Sequence, residues 1–236
     1  MIDKSNNIKA LDDRGIPYKT RIIKPNKITI SIDSTGTVII KYNKYIPKYK
    51  VNEFVNDKID WITSHFLKNY QPPRKYITGE KYKLLGVEYT LYVVNSDENK
   101  IFIDSNYLIV HTIKNEYNYI DKLFSKYLMD ASTEVFNLAL QKCFNDMSRV
   151  LTKYPALDIK RYKSRWGCCI PKENKIILNI ALIHINLKLI EFVVYHELCH
   201  FVYLNHSKDF HQLLRRFLPD ESALRKQLNQ NNINYK

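Results

Sequence analysis

The segment His196-Glu197-Leu198-Cys199-His200 places two imidazoles four residues apart with a carboxylate between them. On a helix that spacing is one turn along nearly the same face, so both rings can aim at one point. Imidazole is a borderline ligand that suits Zn²⁺ at ~2.0–2.1 Å. Two ligands do not complete a site. His206 follows a helix end expected at Asn205, and a chain that turns there can bring its ring back to the same ion. His211, on the next expected helix, and Glu221 are the rivals for third ligand. Three histidines leave the fourth position open to water, which is the catalytic rather than the closed arrangement. Glu197 then has a role as general base: the ion lowers the pKa of its water toward ~7, and a nearby carboxylate can take the proton and pass it to a leaving amine. The chemistry expected is hydrolysis of a peptide or amide bond, with one Zn²⁺ per chain and no protein nucleophile.

Elements that could position these residues are legible from the patterning. Ile28, Ile30 and Ile32 alternate with polar residues as in a half-buried strand, Ser34-Thr35-Gly36 supplies a turn, and Thr37–Tyr42 returns as a second strand. Val51, Phe54, Val55, Ile59, Ile62 and Phe66 share one helical stripe, which Pro72-Pro73 would close. Short strands are expected over 81–85, 87–94, 100–104 and 107–113. From about Ile120 to Leu151 apolar residues recur at helical intervals without Gly or Pro, which predicts one long helix ended by Pro155. Strands are expected over 157–162 and 175–180, and a buried helix over 187–204. Ser207 should cap a further helix running to about Phe217. The pattern changes near Glu116, so the expected organisation is a β-rich N-terminal region over 1–115 with one helix, followed by a helical domain with a small sheet over 116–236; the fold class is α+β.

Composition narrows the function classes. The chain has 236 residues, 45% of them hydrophobic and 26% charged, with 5 Gly and 8 Pro, which excludes disordered and collagen-like chains. Lys and Arg total 37 against 24 acids, giving +13. That excess permits a nucleic-acid partner, and Lys41, Lys44, Lys48 and Lys50 interleave with Tyr42, Tyr45 and Tyr49; a solvated lysine-rich edge is the blander reading. No uncharged run is long enough to span a bilayer, Met1-Ile2-Asp3-Lys4 carries no apolar signal core, and the four cysteines form no spaced disulfide framework. A cytoplasmic protein with no membrane partner is expected. Adjacent strand residues point to opposite faces, so Cys168 and Cys169 cannot both serve one ion.

Several segments together carry a resemblance. Lys163-Ser164-Arg165-Trp166-Gly167-Cys168-Cys169, Ile177-Leu178-Asn179, Val194-Tyr195-His196-Glu197-Leu198-Cys199-His200 and Asn205-His206-Ser207-Lys208-Asp209-Phe210 resemble the signature of the YgjP-like metallopeptidase domain family, which is itself similar to the SprT-like zincins. Cys168 stands where that signature usually has Ser, and Ala181 where an Arg is frequent. The resemblance implies a zinc-dependent hydrolase with ligands at His196, His200 and His206 and a base at Glu197, acting on a peptide or protein.

Arg165, Trp166 and Asn179 are the candidate substrate contacts. Arg165 can clamp a carboxylate or phosphate or stabilise an oxyanion, Trp166 can serve as core, lid or platform, and Asn179 lies on the strand that would line the cleft of a zincin. Tyr203 and Tyr162 are candidate donors to the tetrahedral intermediate, and Asp209, Asp220 and Glu221 candidate supports of the ligand imidazoles. Two other functions stay open at this stage: a metal-dependent nucleotide pyrophosphatase using Arg165 and surface lysines, and a nucleic-acid-associated SprT-like protease.

Overall fold

The structure, a computed structural model, describes residues 8–33, 36–69 and 74–231. The expected Ser34–Thr35 turn, the Pro72–Pro73 stop and Met1–Lys4 lie outside the described residues. The chain separates into two compact units, Met1–Pro73 and Arg74–Lys236.

In the first unit a single turn α1 (Lys9–Asp12) and strand β1 (Tyr18–Ile22) precede the expected strands β2 (Thr29–Ile32) and β3 (Val38–Tyr42). The sheet order is β1-β3-β2, with β1 parallel and β2 antiparallel to β3. The one helix expected next is two, α2 (Lys48–Asp57) and α3 (Ile59–Asn69), because the backbone leaves the helical region at Lys58 (φ −104°, ψ 7°). The stripe survives the break: Val51, Val55 and Ile62 bury against Val38, Ile40 and Leu11. Of the tyrosines interleaved with lysines, Tyr42 joins this core, while Tyr45 and Tyr49 are exposed and Lys44 Nζ lies 4.9 Å from the Tyr45 ring centre.

The second unit begins with the four expected strands, β4 (Lys81–Leu84), β5 (Val87–Asn95), β6 (Lys100–Asp104) and β7 (Tyr107–Thr112), in the order β4-β5-β7-β6. Helix α4 (Tyr117–Asp146) follows, then β8 (Ala156–Lys160), β9 (Gly167–Ile170) and β10 (Lys175–Asn179) in the order β8-β10-β9. A 3₁₀ turn (Ile180–His184) leads into α5 (Leu187–Cys199), and α6 (Lys208–Phe217) and α7 (Glu221–Gln230) close the unit. The fold is α+β. The change from strands to helices near residue 116 falls inside this unit, not at its edge, because both sides feed one core: Leu91, Leu108 and Val110 of the sheet are buried in one cluster with Ile120, Phe124 and Leu128 of α4. Among the described residues no helix is long and apolar enough to cross a membrane.

Two helices end earlier than the patterning predicts. Helix α4 stops at Asp146, and a turn carries on the apolar spacing, so Met147 and Leu151 still reach the core. Helix α5 stops at Cys199, with consequences for the site described below. Strands β1 and β9 and helix α7 are elements that the patterning leaves unassigned.

Helix α5 is fixed at both ends of its buried length. Tyr195 donates to Asp146, and Lys142 Nζ meets Glu191 Oε2 at 2.6 Å, tying α5 to α4. At its start, Asn186 Oδ1 caps the helix by accepting from Leu189 N at 3.0 Å. The β4–β5 turn docks there: Gly86 has φ +83°, and a Cβ on it would lie 2.9 Å from Asn186 Cβ. Beside that turn His184 is 3% exposed, with Nδ1 2.7 Å from the Lys83 carbonyl. Burial pushes its imidazole down to about 4 from 6.5. Above pH 6.5 the ring is neutral folded or unfolded, so stability is full there and is lost as pH falls toward 4, where the unfolded chain binds the extra proton. The stake is on the order of 3 kcal/mol. Urea unfolding at pH 7 and pH 4 should therefore show a larger loss for the native chain than for His184→Gln, by about 2–3 kcal/mol; equal losses would clear the imidazole of that role.

Candidate metal centre and its cavity

The three histidines converge. The ligand-capable nitrogens of His196, His200 and His206 lie within 4.8 Å of one another, and His206 Nε2 is 3.0 Å from His196 Nε2. Ligand bonds of ~2.0–2.1 Å place neighbouring nitrogens of a tetrahedral ion roughly 3.3 Å apart, so the closest pair is at a fitting separation.

His206 comes back because α5 ends one turn early. Past Cys199 the bonding tightens: Phe201 N donates to Leu198 O at 3.1 Å and Val202 N to Cys199 O at 3.1 Å, the i→i+3 pattern of a 3₁₀ turn. The chain then leaves the axis at Tyr203. The cap expected at Asn205 is displaced accordingly. His200 Nδ1 lies 3.0 Å from the Tyr203 carbonyl, so this nitrogen carries the proton and donates, and Nε2 keeps its lone pair for an ion. For His200 this carbonyl takes the place of the acidic partners expected from sequence. Asp220 pairs instead with Lys188 at 2.5 Å, and Glu221 with His211 at 2.9 Å, which removes both rivals for third ligand from the cluster.

Phe210 is a residue of the site that sequence reasoning used only as part of a motif. Ser207 caps α6, accepting from Phe210 N at 3.3 Å. The Phe210 ring, fully buried, sits 5.0 Å from His196, 4.8 Å from His200 and 4.8 Å from His206, a common apolar backing for all three imidazoles. Burial, then the charges of His200 and His206, pushes His196 down to about 3, and burial lowers His206 as well. Both rings are thus held neutral, the form that ligates a cation.

Glu197 faces away from this backing, toward β9. It is 6% exposed, and burial pushes its carboxyl up to about 7, against the opposing pull of the Cys169 backbone N–H and the Arg165 charge. Strand β9 makes room through Gly167, where a Cβ would lie 2.6 Å from Glu197 Oε1 and 2.9 Å from its Cγ. Cys168 and Cys169 flank this contact on the strand. Burial pushes the Cys169 thiol up to about 12, and Arg165 Nη1 lies 3.8 Å from Cys168 Sγ.

A cavity of about 530 Å³ opens beside the cluster, lined by Arg165, Trp166, Gly167, His196, Glu197 and His206, with Phe192 and Val193 of α5 and Arg225 and Leu228 of α7 forming the rest of the wall. Arg165 and Trp166 are therefore at the cavity. Asn179 is not: it is fully buried, its amide donates to the carbonyls of Tyr162 and Arg165 at 2.9 Å each, and its Oδ1 accepts from Ala181 N at 3.1 Å. With Asn179 N donating to Trp166 O at 2.8 Å, this residue holds the loop that carries the two cavity residues. Tyr203 and Tyr162 are absent from the wall of this cavity.

An α+β domain that gathers three imidazoles and a buried carboxylate beside one cavity has the site of a metal-dependent peptidase. The model of the YgjP-like metallopeptidase domain family matches residues 26–231, and the chain belongs to that family. Among solved structures, the metallopeptidase zymogen of Methanocaldococcus jannaschii jannalysin is similar, with 18% identity and a TM-score of 0.37, covering 40% of this chain and 88% of that chain. No curated protein matches.

The close approach of β9 to Glu197 has a measurable cost if filled. Gly167→Ala should destabilise the native chain by about 1–3 kcal/mol, as overpacking does. In a Glu197→Ala background the same substitution should cost at most ~0.5 kcal/mol, the mark of a direct contact in a double-mutant cycle. Equal costs in both backgrounds would mean that Gly167 is needed for some other reason.

Proposed function

We propose that this protein hydrolyses peptide bonds using one Zn²⁺ held by His196, His200 and His206, with Glu197 as general base. The observation that carries the reading is the convergence of three imidazoles, those of His196 and His206 held neutral, beside a carboxyl whose burial keeps it near 7. The donor set, three nitrogens with room for a further position at an open cavity, suits a catalytic zinc. When bound, that ion supplies an acidified water and polarises the scissile carbonyl.

The chain's own residues do the remainder. Glu197 takes a proton from the attacking water onto its carboxylate, and the water oxygen bonds to the carbonyl carbon. The C–N bond then breaks as Glu197 returns that proton to the amine nitrogen. A carboxyl titrating near 7 is matched to both halves of this task at neutral pH. The Cys169 N–H holds the carboxylate in place, and Arg165 offers a cation to the oxygen that gains charge. Trp166, Phe192 and Val193 give an apolar wall to a substrate side chain. The substrate in this reading is a peptide or protein, and the setting is the cytoplasm, where four free cysteines such as these persist.

Purified protein should hold one zinc per chain by atomic emission, and His206→Ala should lose it on dialysis. Glu197→Gln should keep the metal and cleave casein ~10²–10⁴-fold more slowly, the usual contribution of a general base. Full turnover in that variant would remove Glu197 from the role.

A further inference from the structure

The wall of the cavity formed by α7 carries a cation that the reaction above does not use. Glu221, at the first position of α7, has a side chain only 4% exposed. Such a buried carboxylate needs charge partners. His211 Nδ1 at 2.9 Å and Arg215 Nη1 at 3.6 Å supply two of them from α6. Arg225, one turn along α7, donates to the same carboxylate through Nη2. The site thus holds one carboxylate, two guanidinium groups and an imidazole, so positive charge is in excess even with His211 neutral.

Arg225 differs from Arg215 in where it leads. Its side chain is 44% exposed and lines the cavity, and its charge is felt by both His196 and His206. Apart from Nη2, its guanidinium nitrogens have no protein partner among the described residues. Pinning by Glu221 fixes the direction of a planar fork whose other donors remain available, which suits a carboxylate. Leu228, Phe192 and Val193 share the wall with it, and Glu197 is the only acid there among the described residues. A group with a short apolar stem and an anionic end matches that surface.

We propose that Arg225 is a specificity-determining residue that binds a carboxylate of the peptide substrate, with Glu221 as the positioning residue that aims it. The assignment rests on the peptidase reading for the reaction, but the binding itself does not require turnover. The carboxylate has two sources, an acidic side chain and the free C-terminus of a short peptide, and both present the same chemistry to the fork.

Two measurements on the zinc-loaded full chain test this. In the first, casein is digested and the cuts are mapped by mass spectrometry; then a peptide pair differing only by Glu or Gln at the enriched position is compared, each with a free and an amidated C-terminus. In the second, the Glu197→Gln protein retains peptides from a tryptic casein digest, and the retained set is sequenced with and without Arg225→Ala. We expect acidic residues to be favoured in both, or a free C-terminus to be favoured in the free-versus-amidated pair. That preference should fall by about tenfold in Arg225→Ala, the scale of one charge-assisted pair in a cleft, and in part in Arg225→Lys, which keeps the charge but not the fork. Glu221→Gln should raise KM for the favoured peptide while leaving kcat within about twofold, as lost positioning of a binding group does. Amidation that abolishes the preference identifies the terminal carboxylate; a preference that survives amidation identifies the side chain. Thermal melts monitor folding, and Arg225→Lys and Glu221→Gln carry the test if Arg225→Ala does not fold. Acidic retention without any cleavage keeps the subsite and removes the peptidase reading. No preference in either measurement, or a preference unchanged in the variants, overturns the proposal.

Discussion

Helix α5 stops at Cys199, where i→i+3 bonds tighten its last turn, and the geometry of the metal centre depends on that early stop. A continuing helix would carry His206 onward along its axis, away from the pair one turn apart. Instead a 3₁₀ turn closes over 200–202 and the chain reverses at Tyr203. The same reversal supplies the Tyr203 carbonyl that sets the tautomer of His200. Termination, ligand return and ligand protonation are thus three results of one local hydrogen-bond pattern. Phe210, delivered by the Ser207-capped helix that follows, then backs all three rings from the core side.

Electrostatics at the site follow from burial acting oppositely on acids and bases. Desolvation disfavours a charge of either sign, so it lowers the imidazoles of His196 and His206 and raises the carboxyl of Glu197. Both shifts serve hydrolysis: neutral rings ligate, and a carboxyl near 7 can accept and return a proton. The opposing pull of the Cys169 N–H and Arg165 on Glu197 keeps that group from rising further. Strand β9 brings the Cys169 N–H close and the loop before it brings Arg165, and Gly167, where a Cβ would lie 2.6 Å from Glu197 Oε1, lets the strand approach.

The cavity is assembled from parts distant in sequence. Asn179 of β10 ties down the loop bearing Arg165 and Trp166 by three backbone partners of that loop. The β4–β5 turn seats on the N-cap of α5 through Gly86, so a sheet that contributes nothing to the cavity wall still sets where the ligand helix begins. Helix α7 closes the far side with Arg225 and Leu228. These supports explain why the second unit begins at Arg74 rather than near 116: the sheet is part of the framework of the site.

The amino-acid sequence by itself determined the helix that bears His196 and Glu197 and ends next to His200, the cap at Ser207 and the strands β2 through β7, because each depends on periodicity or a cap readable within a few residues. It also singled out His206, Arg165 and Trp166 as residues for the site. Only the tertiary structure decided that α5 stops at Cys199, since the apolar spacing runs on past the break and competition between the helical ladder and the turn is settled by packing. Likewise Asn179 reads the same in sequence whether it faces a cavity or a loop; its burial among the carbonyls of Tyr162 and Arg165 is a property of the folded chain. The Glu221–Arg225 pair has helical spacing, but its role lies beyond that local signal, because what matters is a buried carboxylate that also meets His211 and Arg215 of α6, and pairing across helices leaves no period in the chain.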